Sequence, residues 1–162
     1  MTQVTRSFMF LILVISMIAM QYGRLAAVVS SGVYFLWIYS LASDSFALLP
    51  NGHSLSLWKL RIPIIYSLVY IVLVTLVFST IEQWLIPFHI VMMISVLFVF
   101  YYASKIIVTA ESGLDTHLVD YLPIIFGFWF FFIGVWFIQP KVQNLLEKNS
   151  NISMENEIEQ SH

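Results

Sequence analysis

Residues 121–140 read YLPIIFGFWFFFIGVWFIQP. Between Phe126 and Phe137 eight of twelve residues are Phe or Trp, and none is charged. At 1.5 Å per residue, residues 122–139 would make a helix of roughly 27 Å, close to the hydrocarbon thickness of a bilayer. Pro123 stands where a first-turn proline is tolerated, and Pro140 where a helix would have to stop. The stretch predicts the last transmembrane helix of the chain.

The whole composition points the same way. Of 162 residues, 60% are hydrophobic and only 10% charged, whereas soluble domains carry about 25% charged residues. Such a chain cannot clothe a water-facing surface, and its apolar runs are continuous rather than alternating, which disfavours a transmembrane β-barrel. The predicted fold class is therefore an all-α integral membrane protein of the inner (plasma) membrane. It is a bundle of five, alternatively four, transmembrane helices with the lipid bilayer as its first partner. A formal net charge of −2 leaves no basic footprint for nucleic acid. The chain has no cysteine, so a disulfide, a thiolate zinc site and a cysteine nucleophile are all ruled out.

Moving back from that helix, the predicted spans are 7–22, 25–42, 62–80 and 85–104, followed by 122–139. The first resembles a signal peptide, but no small-x-small cleavage site precedes Gln21. Gly23 and Arg24 separate it from the second span, and one helix through both would be too long for a bilayer. The four-span alternative has a single span near 18–42 behind an interfacial N-terminal helix. Pro50, Asn51 and Gly52 form a turn signal, and residues 54–61 alternate apolar and polar, predicting a segment along the headgroups anchored by Trp58, Lys59 and Arg61. All five prolines (50, 63, 87, 123 and 140) fall at proposed boundaries. After Pro140, Val142, Leu145 and Leu146 suggest one interfacial turn, and residues 149–162 form a polar, acidic tail predicted to be disordered. With five spans, Arg6, Lys59, Arg61 and Lys105 oppose Arg24, Lys141 and Lys148 across the membrane, four cations against three. That balance leans towards a cytoplasmic N-terminus and an external C-terminus.

Few residues suggest chemistry. His89, three residues into a span, is a candidate by virtue of being ionisable in a membrane, although a lone histidine has no partners for a metal. Glu111, Asp115, His117 and Asp120 form the densest titratable group, in a connection (105–120) where solvated polar residues are needed anyway. Asp120 precedes Pro123 as an acceptor suited to capping the last helix. No zinc-histidine pair, phosphate-binding glycine loop or nucleophile elbow occurs, and nothing calls for a cofactor or metal. Gly23, Ala27 and Ser31 lie four apart, and Gly127 and Gly134 seven apart, each a small-residue face suited to helix packing.

Four short motifs resemble a family of uncharacterised bacterial membrane proteins common in the Bacteroidota. They are Trp37, Tyr39 and Ser40 at a span end; Leu49, Pro50 and Gly52 in a loop; Tyr101 with Lys105; and above all IGVWFIQP at 133–140. The resemblance covers roughly residues 34–148 and implies an architecture, with no established activity. Phe132 stands where the family usually has proline, so a mid-helix break there need not occur in this chain. Ile124 replaces a common glutamate, and Ser104 the alanine before Lys105.

The function these features predict is a small non-enzymatic membrane protein, a scaffold or accessory subunit of a complex with another membrane protein. The alternative is a homo-oligomeric pore or small transporter with Tyr66, Ser67, Tyr70, His89 and Ser95 as polar lining. An intramembrane enzyme using His89 or the Glu111–Asp120 connection is a lesser alternative.

Overall fold

The computed structural model of the protein describes residues 15, 23–49, 53–77, 83–113 and 117–160. The predicted span at 7–22 thus lies outside the described residues, apart from Ile15, as do the turn at 50–52 and Asp115. Every regular element among the described residues is helical: α1 (Arg24–Phe46), α2 (Trp58–Val72), α3 (Ile86–Ser112), α4 (Leu118–Trp129) and α5 (Phe131–Gln160). A π-helical turn, Leu73–Val77, prolongs α2, and a 3-10 turn, Gln83–Leu85, leads into α3. Three segments, Arg24–Phe46, Trp58–Leu76 and Gln83–Ser112, are long and apolar enough to cross a membrane.

These three run up, down and up. Arg61 at the start of α2 reaches Tyr39 near the end of α1, with Nε donating to the phenol oxygen at 2.8 Å. Tyr70 at the other end of α2 meets His89 at the start of α3. The backbone N–H of Ser56 donates to the Tyr102 hydroxyl at 2.9 Å, which brings the late part of α3 back to the start of α2. One end of the bundle, the head, therefore gathers the end of α1, the start of α2 and the end of α3.

Each helix boundary has a local cause, and several differ from the sequence prediction. α2 starts at Trp58, so Trp58 to Arg61 form its first turn instead of lying flat along the surface. Pro63 sits inside it, and the carbonyl it leaves without an N–H belongs to the exposed residue Lys59, where solvent can reach it. α3 continues eight residues past the predicted end at 104. Ile106, Ile107 and Val108 extend its buried stripe, and the stop is Gly113, left-handed at φ 71° with its N–H on the Thr109 carbonyl. Pro123 and Pro140 likewise lie inside helices rather than ending them. The backbone of α5 is helical as far as Gln160, where the sequence predicts disorder from 149. Nothing after Pro140 supplies a helix stop, since the tail lacks glycine and proline.

The largest correction falls on residues 122–139, which are not one helix. The backbone leaves the helical region at Phe130 (φ −98°, ψ 69°) and turns back on itself. A Cβ built on Gly134 would lie 2.1 Å from the Gly127 carbonyl oxygen, and one on Gly127 would lie 2.8 Å from Ile138 Cδ1. In a continuous helix, residues seven and eleven apart would be separated by about 10 and 16 Å. α4 and α5 are thus the two arms of a helical hairpin. Its arms start and return at the head, where Lys141 on α5 meets Glu111 on α3.

The core forms where the hairpin enters the bundle. Phe128, fully buried, stands edge-on to Trp37 (ring centroids 5.8 Å apart) and beside Phe100 (6.0 Å). Phe100 also packs edge-on to Trp129 and Tyr34. Val135, Ile138 and Val142 bury the inner face of α5. Val142 therefore belongs to the core, not to an interfacial turn.

Candidate functional site

The predicted polar residues divide between the two ends of the bundle. His89 lies in the first turn of α3, exposed, with Nδ1 3.2 Å from the Tyr70 hydroxyl. Tyr66 stacks beside Tyr70 and donates to the Phe88 carbonyl at 3.2 Å. Both phenols are thus engaged where α2 meets α3. Glu111 lies near the opposite end of the same helix, 22 residues on, or about 33 Å along the axis. His89 and the Glu111 group cannot share a site.

At the head, each described member of the acidic group has a partner that accounts for it. Glu111 Oε2 is 2.6 Å from Lys141 Nζ, both side chains being over a third exposed. Asp120 Oδ2 accepts the His117 backbone N–H at 3.0 Å, the reciprocal half of a helix N-terminal cap. Asp120 thus opens α4 as a capping residue, because the first N–H groups of a helix have no partner of their own. Among the described residues, no three His, Cys, Asp or Glu side chains converge to hold a metal ion.

The small-residue positions also separate. Gly23 is exposed and accepts the first helical bond of α1 from Ala27. Ser31 donates its hydroxyl to the Ala27 carbonyl at 2.9 Å, so that hydroxyl is used within its own helix. Gly127 and Gly134, by contrast, meet each other. They form no stripe along a single helix; they are the crossing point of the two hairpin arms.

No family model, curated protein or solved structure matches this chain.

Several residues carry more of the arrangement than sequence patterns suggest. The Tyr34 hydroxyl donates to the Phe128 carbonyl, which in an unbroken helix would bond to the N–H of residue 132. The reversal frees that carbonyl, and Tyr34 takes it up. Gln139 and Gln143, one turn apart on the inner face of α5, are both 96% buried. Gln139 Oε1 and both amide atoms of Gln143 lack a hydrogen-bond partner among the described residues. An i, i+4 glutamine pair after an aromatic run is the only trace of this feature in the sequence. Arg61 is held at the head by two aromatic rings, its Cζ 5.4 Å from the centroids of both Tyr39 and Trp58.

Proposed function

We propose that the protein is a multi-pass protein of the inner (plasma) membrane that acts as a non-enzymatic scaffold or accessory subunit. α1, α2 and α3 cross the bilayer. The α4–α5 hairpin enters from the head and returns to it, as non-spanning segments do where protein covers the break. The observation that carries the accessory role is an apolar face that no helix among the described residues covers. Ile62 and Val69 on α2 and Leu73 in the π-helical turn, with Ile90, Ile94 and Leu97 on α3, are all exposed. In a bilayer such a face is covered by lipid or by a helix of another membrane protein that displaces the lipid, and it is the surface this reading assigns to a partner. The 33 Å between His89 and Glu111, and the use of Glu111 and Asp120 in an ion pair and a helix cap, favour this role over catalysis.

On this reading the hairpin returns the C-terminal half to the head side, opposite to the external C-terminus that five spans would give. With both arms returning to the head, Lys141 and Lys148 join Lys59, Arg61 and Lys105 there. Five cations then face Arg24 alone among the described residues, a balance that favours a cytoplasmic head by the positive-inside rule. The motif IGVWFIQP, which carries the family resemblance, falls on the return arm and supplies Gly134, Val135 and Ile138 to its packing. The deciding experiment for the accessory role is purification of the tagged chain from native membranes in a mild detergent. A second, different membrane protein is expected at fixed stoichiometry, lost when Val69, Ile90 and Ile94 are changed together to Ser. Recovery of the chain alone, in several detergents and in native nanodiscs, would rule the role out.

A further inference from the structure

We propose that the groove between α1 and α2 holds one acyl chain of an anionic phospholipid, with its phosphate on Arg61; this rests on the membrane placement above. The groove has a volume of about 280 Å³, and its walls are Phe35 and Leu36 on α1 with Ile64, Ile65 and Leu68 on α2. That volume is at the lower edge of the roughly 300–1,000 Å³ of small-ligand sites, so it suits a length of chain rather than a whole lipid. Tyr39 and Arg61 stand at its head end. From them both walls descend turn by turn towards the middle of the bundle, Arg61 to Ile64 and Ile65 to Leu68 on one side, Tyr39 to Phe35 on the other. A cation above an apolar slot repeats the profile of a phospholipid, headgroup above chain.

The state of Arg61 supplies the charge complement. A guanidinium has five N–H donors. Nε–H is spent on Tyr39 at 2.8 Å, and among the described residues no carboxylate pairs with the side chain. Flanked by the Tyr39 and Trp58 rings at 5.4 Å each, the group is held in place before a ligand arrives. Its four Nη–H donors remain for a phosphate, which a guanidinium engages through two parallel bonds. Lys59, exposed one position before Leu60, adds a second cation at the same level. The cytoplasmic leaflet, where the head is placed, is the one that carries anionic lipid.

The test uses the full chain. Alkaline extraction of membranes comes first, and release of the protein into the supernatant would sink the membrane placement itself. With the protein retained in the pellet and purified in a non-ionic detergent, native mass spectrometry compares dioleoyl phosphatidylglycerol with dioleoyl phosphatidylcholine, which share chains and differ in charge. Wild type is expected to prefer the anionic lipid by about fivefold, the factor one cation contributes near an anionic surface. Arg61→Gln should remove the preference, Arg61→Lys should keep part of it, and Lys59→Gln should keep most of it. Ile65→Trp, which fills the groove, should lower uptake of both lipids, each variant being checked for helicity and a single gel-filtration peak. Three results would overturn the proposal while leaving the membrane placement intact. They are equal binding of both lipids by wild type, undiminished uptake by Ile65→Trp, and complete displacement of the lipid by millimolar inorganic phosphate. The phosphate competition and Ile65→Trp decide the case if Arg61→Gln does not fold.

Discussion

Among the described glycines, Gly134 is the one at which an added methyl would meet the most resistance. Its Cβ would sit 2.1 Å from the carbonyl oxygen and 2.7 Å from the carbonyl carbon of Gly127, both backbone atoms that cannot rotate away. At Gly127 the nearest obstacle, at 2.8 Å, is the end of the Ile138 side chain, which can change rotamer. Gly134→Ala is therefore expected to destabilise the protein by about 2–3 kcal/mol or more, and Gly127→Ala by about 1 kcal/mol, the lower end of what overpacking costs. Thermal unfolding in detergent, followed by near-ultraviolet circular dichroism of the Trp37–Phe128 cluster, would measure both. If residues 122–139 formed one straight helix, the two substitutions would have similar, small effects. The Tyr34 hydroxyl acts at the same scale, because it satisfies a carbonyl that only the reversal leaves free.

Among the elements, α3 shows how a single stop signal sets a length. Its apolar stripe continues through Ile106, Ile107 and Val108, and the helix ends only where Gly113 adopts φ 71°. Left-handed backbone costs an L-residue about 1–2 kcal/mol, and among the described residues no atom crowds a Cβ at Gly113. Gly113→Ala should thus lower stability by about 1–2 kcal/mol through backbone strain alone, with helix content unchanged by far-ultraviolet circular dichroism. A D-alanine at the same position, introduced by semisynthesis, should recover the loss. The Lys141–Glu111 pair closes the same end, but at more than a third exposure it contributes little to stability. It reports where α5 returns rather than holding α5 there.

At the scale of the molecule, on the proposed membrane placement, the hairpin sets the side on which the C-terminal half lies. The absence of cysteine permits a clean test. In Ser54→Cys and Ser150→Cys variants, both positions are exposed on the described surface. Both are expected to react with a membrane-impermeant maleimide only in inside-out vesicles, because both lie on the head side. A spanning helix at 122–139 would instead label Ser150→Cys from outside and Ser54→Cys from inside. The same arrangement separates His89 from the head by the length of α3, which is why the polar candidates never assemble.

The sequence alone determined what rests on composition and local chemistry. Sixty per cent apolar residues in continuous runs dictate helices of membrane length. The helix through 25–42 and the capping role of Asp120 follow from neighbours in the chain, whereas the sequence pattern ends α3 at 104, short of its stop at Gly113. What it left open is the direction of residues 121–140. Two short helices leave backbone groups unpaired at the reversal that one long helix would satisfy, so the choice depends on distant partners for them, and with rings on every side the periodicity points nowhere. Contacts distant in the chain chose the hairpin: Gly127 against Gly134, Phe128 between Trp37 and Phe100, and Tyr34 on the freed carbonyl. That choice is made by packing, and packing is visible only when the helices are placed side by side.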